Sequence, residues 1–309
     1  MLDVRRLRLL YELSLRGTLA EVAEALHQSP SSVSQQLTQL EREAGVTLLR
    51  KVGRRVQLTP AAERLAEHTG MILDRLERAE WDLAEAGEAA AGTVRVAVFQ
   101  SAALAFMPQM LADLAQRHPR LRVTMSQREP EEALYETWVR EFDLVVAEQY
   151  PGHAAPWLHD LDRDLLTTDA LRLAVPPEGA IWDGIRTITD AAHVPWVMEP
   201  KGAASRHWAE QVCRSAGFEP DVRFETADLE AHVALIEAGN AVAILPGLMS
   251  VRRRPRVRVV DLPGSPRRTV FTATRTALVA TPRILACREA LAAAAHPESG
   301  LPHEADYDN

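Results

Sequence analysis

Hydrophobic residues near the start of the chain recur at spacings of three and four, a pattern that predicts helices with one buried face. The first helix is predicted over 3–15 and ends before Gly17. The second, predicted over 19–26, follows Thr18 in a Thr-x-x-Glu capping box, in which both side chains can bond free amides of the first turn. Two short helices with defined ends therefore open the chain.

A third helix is predicted to follow Ser29, whose hydroxyl can cap it, with Pro30 at the first position, where the missing N–H costs nothing. Its apolar stripe leaves a polar face that consists of Ser31, Ser34, Gln35, Thr38 and Gln39. Such side chains can bond base edges or phosphates. Two short helices joined by a tight turn, here at about 18–37, are typical of a helix-turn-helix.

Residues 46–59 have the pattern of two short strands around a basic turn, which predicts a wing beside the helix-turn-helix. Arg54 and Arg55 lie at this turn, where they can reach the DNA backbone or the minor groove. The other interpretation is a three-helix protein-binding module, although such bundles rarely carry a basic hairpin. We therefore predict a winged helix-turn-helix DNA-binding domain over 1–59.

Residues 60–91 predict one long helix with a hydrophobic seam. Thr59-Pro60 provides a capped start, and the seam then consists of Leu65, Thr69, Ile72, Leu76, Ala79, Leu83, Ala86 and Ala90. Because helix-turn-helix proteins usually bind two half-sites, the seam favours a dimer. The alternative is that the same stripe packs on a downstream domain of its own chain.

Downstream of 88–92, strands alternate with helices, which is typical of a parallel α/β sheet. A first set lies within 92–147, and a second set begins with a strand at 171–175. A last strand at 269–274 and a helix ending near 295 suggest a return to the first set. The predicted fold class is α/β with an all-α, winged N-terminal module. We expect a regulatory domain over 92–296, divided into subdomain I (about 92–166 and 267–296) and subdomain II (about 167–266), and a flexible tail over 297–309.

Composition adds a cellular setting and a charge pattern. The 309 residues are 47% hydrophobic and 25% charged, as in ordinary globular proteins. Without a long apolar run or a signal sequence, we expect a cytoplasmic protein with no membrane partner. The net charge of −8 by itself argues against nucleic acid, but residues 1–60 carry nine basic and six acidic side chains. A basic head on an acidic body fits a DNA-binding module joined to a sensing module.

Two motifs in this head resemble the LysR-type transcriptional regulators. Residues 26–41 are similar to the family pattern Leu-His-x-Ser-Gln-Pro-Ala-Val-Ser-Arg-Gln-Ile-x-x-Leu-Glu. Residues 45–59 are similar to its wing pattern Gly-x-x-Leu-Phe-x-Arg-x-x-Arg-x-x-x-Leu-Thr. The chain departs from these patterns at Pro30, Ser31, Gln35, Leu49 and Lys51. Pro30 and Gln35 hold positions that contact DNA in the family. The operator sequence of the family is therefore less transferable to this chain than the fold is.

The resemblance implies double-stranded promoter DNA as a partner, a dimerising linker helix at 60–91, and tetramers made of two dimers. It also implies an effector-binding domain akin to periplasmic binding proteins, whose best local match here is 231–246. The polar helix face, the wing and the resemblance together nominate the DNA-binding residues Thr18, Ser29, Pro30, Ser31, Ser34, Gln35, Lys51, Arg54 and Arg55.

In two-part α/β folds, a ligand lies in the cleft at the carboxyl ends of strands and at helix N-termini. The candidate effector-binding residues at these places are Gln100, Ser101, Arg128, Glu148, Glu199, Ser205 and Thr226. Each of them could instead be a helix cap or an exposed polar group. Since acidic and basic side chains both occur among them, the charge of the effector stays open.

Enzyme and metal motifs are absent from the sequence, which has no Gly-x-Ser-x-Gly elbow, His-Glu-x-x-His pair or phosphate loop. Residues 160–164 begin like a calcium loop, but leucines replace its glycine and final glutamate, so we predict a solvated turn, with His153 and His159 as loop residues. Cys213 and Cys287 are interpreted as buried structural cysteines rather than a redox pair. We expect no enzyme, no metal and no cofactor.

The sequence therefore predicts a LysR-type regulator whose promoter binding is modulated by a small-molecule effector. One alternative is a DNA-binding regulator without a metabolite ligand, controlled by redox state or a protein partner. A second, from another class, is a cytoplasmic α/β binding protein or enzyme. The missing signal sequence and the missing paired catalytic groups oppose this second alternative.

Overall fold

The computed structural model of the chain describes residues 1–53, 55–84, 90–252 and 254–296. The chain divides into two compact units, Met1–Gly87 and Glu88–Asn309. Within the described residues, no helix is long and apolar enough to cross a lipid bilayer.

The N-terminal unit is built from short helices and a hairpin, in the predicted order. Its elements are α1 (Val4–Arg16), α2 (Leu19–Ala25), α3 (Pro30–Ala44), β1 (Leu49–Val52), β2 (Arg55–Leu58) and α4 (Pro60–Ala84). The apolar stripes of the helices meet in one core, whose buried members include Leu7, Leu10, Leu13, Val22, Val33, Leu37, Leu40 and Leu48. The winged helical module expected from the hydrophobic pattern is thus confirmed.

Side-chain caps fix where α2 and α3 begin. The Oγ1 of Thr18 accepts a hydrogen bond from the amide of Glu21 at 3.2 Å. The Oγ of Ser29 accepts one from the amide of Ser32, also at 3.2 Å. Both residues have extended backbone angles, as N-caps require. The predicted capping residues therefore act locally as the sequence indicates.

The wing is an antiparallel hairpin, with Leu49 opposite Leu58 and Val52 opposite Arg55. Glu41 on α3 anchors it, because its Oε1 accepts hydrogen bonds from the amides of Leu48 (2.8 Å) and Leu49 (3.0 Å). A carboxylate that accepts two amides holds the hairpin at a fixed place beside α3.

The long helix α4 differs from the prediction in two respects. It ends at Ala84 within the described residues; the predicted continuation over 85–89 lies outside them, and Ala90 precedes a strand. The first part of the predicted seam faces its own head, because Leu65 packs against the head core and Thr69 is fully buried. Among the described side chains of α4, the exposed large apolar ones are Met71, Ile72 and Leu76, so the seam begins about two turns later than predicted.

The C-terminal unit alternates strands and helices. Its elements are β3 (Gly92–Val98), α5 (Gln100–Arg117), β4 (Leu121–Gln127), α6 (Pro130–Trp138), β5 (Leu144–Gln149), β6 (Leu161–Val175), β7 (Pro195–Met198), α7 (Ala204–Ser215), β8 (Asp221–Glu225), α8 (Leu229–Glu237), β9 (Ala243–Pro246), β10 (Arg258–Asp261), β11 (Arg267–Arg275) and α9 (Pro282–Ala295).

The main sheet is mixed rather than parallel, which corrects the prediction. Its strand order is β10-β6-β11-β5-β3-β4, and β9 also pairs with β6. The strands linked by helices, β3 with β4 and β5, are parallel, as is the separate pair β7–β8. In contrast, β11 runs antiparallel to both β5 and β6. The alternating pattern identified the parallel pairs but carried no information on the direction of the returning strand.

Strand β6 is three times as long as the strand predicted at 171–175, because it begins at Leu161. The solvated turn predicted over 160–164 is therefore wrong for 161–164, which pair with β11. Asp160 does lie in a turn, with a φ of 64°. Residues 161–170 form two thirds of the strand, and six of these ten are Asp, Arg or Thr, so the sequence lacks the hydrophobic run that predicts 171–175.

The chain returns to its first set of strands, as expected. Strand β11 pairs with β5, and α9 packs against α5. Strand β6 continues without a break from its pairing with β11, at 161–170, to its pairing with β9 and β10, at 171–175. One continuous strand therefore joins the two halves of this unit.

Candidate functional site

The N-terminal unit presents a polar helix face. Ser31, Ser34 and Gln35 on α3 are exposed, whereas Val33 and Leu37 on the opposite face are buried. Ser31 lies beside the cap, with 3.0 Å between its Oγ and that of Ser29. The face therefore offers hydroxyl and amide groups at spacings of three and four, which suits the edge of a nucleic-acid groove.

The structure places the other predicted DNA-binding residues around this face. Thr18 and Ser29 are exposed caps, Pro30 is exposed at the first turn of α3, and Lys51 is exposed on β1. Arg54 lies outside the described residues. Arg55 is placed only through its backbone, as the first residue of β2. The described members thus surround the start of α3 and the hairpin.

In the C-terminal unit, a cleft lies between the ends of β3 and β5 on one side and of β7 and β9 on the other. It holds a smaller cavity of about 40 Å³ and a larger one of about 270 Å³. Both cavities are lined by Glu129, Glu148, Glu199 and Ser205. The larger volume is near the lower end of the range typical of small-molecule sites, so the cleft suits a small ligand.

Arg268 forms the base of the cleft, with its side chain almost fully buried. It pairs with Glu148, with the Oδ2 of Asp169 at 2.7 Å, and with the Oγ of Ser101 at 2.7 Å. Its guanidinium also lies over the ring of Phe99, 5.1 Å from the centroid. These contacts connect β11 with β5, β6 and the start of α5.

Gly247 makes room for this network. A Cβ at Gly247 would lie 2.7 Å from the Oδ1 of Asp169, closer than carbon atoms approach an oxygen. A side chain there would push Asp169 away from Arg268. Glycine after β9 is therefore a requirement of the buried ion pair.

Three glutamates around the cleft have shifted acidities. Burial raises the pKa of Glu199 to about 7, with the nearby Glu129 and Glu148 acting in the same direction. Burial also raises the pKa of Glu148, against the opposing effect of Arg268. Burial and the charge of Glu132 raise the pKa of Glu129. Carboxylates that resist ionisation in this way lack sufficient counter-charge.

Gln100 bridges the two halves of the cleft. Its Nε2 donates to the Oδ1 of Asp228 at 2.7 Å, and its Oε1 accepts from the amide of Leu229 at 2.8 Å. Both ends of the amide are therefore engaged at the start of α8. Gln100 lines the smaller cavity, but its contacts serve the junction between the halves.

Of the seven residues predicted to bind an effector, the structure brings five together as lining of the cleft: Gln100, Ser101, Glu148, Glu199 and Ser205. Arg128 does not join them; it pairs with Glu136 on α6, with 3.2 Å between Nε and Oε2. Thr226 also lies outside the lining, and its carbonyl accepts a hydrogen bond from His232.

Sequence reasoning missed Glu129, Tyr150, His232 and Arg268, all of which line the smaller cavity. Glu129 and Tyr150 directly follow residues at strand ends, so a window of two residues after each strand would have found them. Arg268 lies near the amino end of β11 and reaches the cleft because β11 is antiparallel to β5. A rule based on carboxyl ends of parallel strands cannot find such a residue.

Both cysteines are buried and unbonded to each other. Burial raises the pKa of both thiols to about 12. His153 lies near His207, with ring centroids 5.6 Å apart, and His159 packs against Trp138. Among the described residues, no group of three or more His, Cys, Asp or Glu side chains is arranged to hold a metal ion.

Both units match described protein families. Residues 4–63 match "Bacterial regulatory helix-turn-helix protein, lysR family", and residues 87–296 match "LysR substrate binding domain". The chain therefore belongs to the LysR family. It is a DNA-binding transcriptional regulator with a substrate-binding effector domain, which confirms the resemblance seen in its motifs and places it in a family of regulators rather than of enzymes.

Relatives agree with this assignment. The transcriptional dual regulator GltC of Bacillus subtilis is 26% identical over 259 residues, 84% of this chain and 85% of GltC. The HTH-type transcriptional regulator IlvY of Escherichia coli is 25% identical over 276 residues, 87% of this chain and 91% of IlvY.

Solved structures support the fold. Full-length OxyR of Pseudomonas aeruginosa superposes with a TM-score of 0.64 at 19% identity, covering 96% of this chain and 95% of OxyR. CbnR, a LysR family transcriptional regulator, superposes with a TM-score of 0.53 at 22% identity, covering 94% of this chain and all of CbnR. CbnR has also been solved in complex with its target DNA.

Proposed function

We propose that this regulator binds promoter DNA through the polar face of α3 and the β1–β2 hairpin, and that an effector in the cleft modulates this binding. The observation that carries the proposal is the exposed face of Ser31, Ser34 and Gln35 behind the Ser29 cap. The proposed DNA-binding set remains Thr18, Ser29, Pro30, Ser31, Ser34, Gln35, Lys51, Arg54 and Arg55. The protein would act on the genome from the cytoplasm.

A dimer through α4 is part of the proposal. Met71, Ile72 and Leu76 are 57%, 39% and 42% exposed on one side of the helix. With His68 and Arg75 they line a surface groove of about 500 Å³. Apolar side chains at spacings of four are typical of a helix that pairs with a second copy. Tetramers of two dimers would then place four heads on one promoter.

Control by a small molecule is favoured over control by cysteine oxidation. The reactive form of cysteine is the thiolate, and thiols with pKa values near 12 stay protonated at neutral pH. The cleft, in contrast, offers enclosed space with polar side chains from both halves. The proposed effector set is Gln100, Ser101, Glu148, Glu199 and Ser205, with Glu129 and His232 added from the structure.

The DNA-binding proposal is tested by measuring fluorescence anisotropy of full-length protein on DNA upstream of its own gene. Gln35→Ala is expected to weaken binding to the preferred fragment by about tenfold, since one base contact is worth about 1–3 kcal/mol. Gln116→Ala, the same change on the exposed side of α5, serves as the control and should leave affinity unchanged. Affinity should also fall steeply with salt. Equal affinities for both variants, or no binding to any promoter fragment at low salt, would contradict the proposal.

The effector proposal is tested separately by thermal denaturation of full-length protein against a metabolite library. A compound that binds the folded cleft should raise the melting temperature of the C-terminal unit and change the affinity for DNA. A flat response to every compound, together with intact DNA binding, would favour a regulator without a metabolite ligand.

A further inference from the structure

The cleft contains two glutamates whose carboxyl groups form no ion pair among the described residues. Glu129 and Glu199 line both cavities, and among the described residues neither carboxylate lies within 4.0 Å of a lysine, arginine or histidine nitrogen in an ion pair. Ser205, which lines both cavities with Glu199, is a neutral side chain and supplies no positive charge. Partly buried anions without a partner are costly, so the ligand-free cleft holds unsatisfied negative charge.

Arg268 cannot supply this charge. Its guanidinium is already held by Glu148, Asp169 and Ser101, and Phe99 covers one face. The two carboxylates that it contacts exceed its single positive charge. Arg268 therefore leaves the base of the cleft negative, and an anionic ligand would have to displace one of its existing partners.

Among the described residues, the other basic side chains that line the cavities form no ion pair with Glu129 or Glu199. Arg206 donates from Nε to Glu210 at 2.6 Å and from NH1 to the carbonyl of Glu199 at 3.0 Å. Lys201 is exposed on the turn before α7, at the rim of the larger cavity. His153 lies 3.6 Å from the carboxylate of Glu131.

His232 supplies a second observation, because its Nδ1 is a buried acceptor without a hydrogen-bond donor among the described residues. Its side chain is 2% exposed and lines the smaller cavity. The Nε2 lies 2.8 Å from the carbonyl oxygen of Thr226, so Nε2 carries the proton and donates it. Burial lowers the pKa of His232, so the ring is neutral and Nδ1 bears a lone pair. Among the described residues, Nδ1 has no hydrogen-bond partner.

The cavity that Glu129, Glu199 and His232 line thus holds two carboxyl groups without an ion-pair partner and one imidazole nitrogen that accepts no hydrogen bond among the described residues. A ligand that complements them must bring N–H donors and positive charge. Ammonium and guanidinium groups fit this requirement, because they carry several donors and no acceptor. Phe99, Tyr150 and Trp208, which also line the smaller cavity, can contact the hydrocarbon part of such a ligand or stack on its cation.

We infer that the effector is a small organic cation, with an ammonium or guanidinium group held by Glu129 and Glu199 and with an N–H directed at Nδ1 of His232. This inference rests on the proposed function, because it assigns a ligand class to the same cleft. All three groups line the smaller cavity of about 40 Å³, which suits a single charged group, and Glu129 and Glu199 also line the larger cavity of about 270 Å³, which can hold the rest of the ligand.

The test is isothermal titration of full-length protein, at constant ionic strength, with four-carbon compounds that differ in charge. The cations are 1,4-diaminobutane, 1-aminobutane and agmatine; the anion is succinate, and the neutral compound is 1,4-butanediol. We expect at least one cation to bind with one site per chain, and succinate and butanediol not to bind.

Variants then locate the binding. Glu129→Gln combined with Glu199→Gln keeps shape and removes both charges, and is expected to weaken binding of the cation by at least about tenfold, because hydrogen bonds to a charged group are stronger than those to a neutral amide. Glu178→Gln, the same change at an exposed glutamate that lines neither cavity, is the matched control and should change affinity less than twofold.

Binding of succinate or butanediol in preference to every cation would overturn the cation inference while supporting the cleft as the effector site. Cation binding that the double variant leaves unchanged would also overturn it, as would no binding by any cation at millimolar concentration. DNA binding measured on the same preparations reports on the proposed function independently. The double variant is expected to fold, because glutamine relieves the unpaired charges.

Discussion

At the scale of single residues, Arg268 is a buried cation of the C-terminal unit that contacts two carboxylates. It lies 1% exposed between Glu148 and Asp169, and its contacts join three strands and the start of a helix. A buried ion pair need not stabilise a protein relative to apolar side chains, but removing one partner leaves an uncompensated buried charge. The consequence can be measured with its neighbour on β11 as a control.

Arg268→Met is expected to lower the free energy of unfolding of the C-terminal unit by about 3–5 kcal/mol at pH 8, because Glu148 and Asp169 lose their shared cation. Arg267→Met, one residue away and exposed on the same strand, should change it by less than about 0.5 kcal/mol. Urea denaturation of the full chain, followed by tryptophan fluorescence, measures both. Similar losses for the two variants would show that Arg268 contributes no more than a surface arginine.

Glu199 predicts a pH dependence of stability. Its pKa is raised from 4.5 to about 7, so the folded state holds the proton more tightly than the unfolded chain does. A raised pKa contributes stability below the unfolded value, and this contribution is lost as pH rises through the folded value, that is, from about 4.5 to about 7. Glutamine cannot ionise and escapes this loss.

Glu199→Gln should therefore stabilise the ligand-free protein more at pH 8 than at pH 5, by on the order of 2 kcal/mol between the two, given about 1.4 kcal/mol per pKa unit. Thermal and urea denaturation of variant and wild type at both values of pH provide the comparison. An equal difference at pH 5 and pH 8 would mean that Glu199 is ionised in both conditions.

At the scale of elements, the helices of the head show how local sequence sets structure. The caps Thr18 and Ser29 satisfy amides within three residues, and the stripe of Val33, Leu37 and Leu40 follows from helical spacing alone. Such features depend on neighbours along the chain, so the sequence located these helices within about one residue. Substitutions in α3 can therefore test the stability of the head and the recognition of DNA separately.

Ser29→Ala removes the cap of α3 and is expected to lower the stability of the head by about 1 kcal/mol. Ser34→Ala, on the exposed face of the same helix, should leave stability nearly unchanged but weaken binding to promoter DNA several-fold. Thermal denaturation and fluorescence anisotropy on the same two proteins measure this split. A large loss of stability in Ser34→Ala, with DNA affinity unchanged, would contradict the role assigned to the face.

The sheet shows the limit of reasoning from local pattern. Helix-linked strands such as β3 and β4 were correctly expected to be parallel, because the connection fixes the direction. Strand β11 pairs with β5, from which it is separated by the whole second half of the unit, and its antiparallel direction brings Arg268 into the cleft. The sequence missed the first two thirds of β6, because its pairing with β11 rather than its own hydrophobicity defines that part.

At the scale of the whole molecule, the proposed dimer would bring two copies of the head together, and α4 offers an exposed apolar surface for it. The sequence predicts a seam that starts at Leu65, but Leu65 packs against the core of the head and Thr69 is fully buried. The exposed stripe of Met71, Ile72 and Leu76 remains. A charge within that stripe would have to be buried in a dimer.

Ile72→Glu combined with Leu76→Glu is therefore expected to convert the dimer to a monomer at micromolar concentration and to weaken DNA binding by at least about a hundredfold, because two half-sites are no longer bound together. Glu63→Lys, an exposed charge change on the side of α4 opposite Ile72, is the control. Sedimentation equilibrium measures the mass. A variant that remains dimeric would move the dimer interface away from this stripe.

The sequence by itself determined the elements whose causes are local: the capped helices of the head, the wing, the long helix and the alternation of strands and helices. It also determined the family, since two short motifs carry the resemblance. Tertiary structure alone decided which face of α4 stays exposed, which way β11 runs, and that Glu129, Glu199, His232 and Arg268 meet in one cleft. These features depend on residues far apart in the chain. Local periodicity cannot encode them, because burial and strand direction are set by long-range packing.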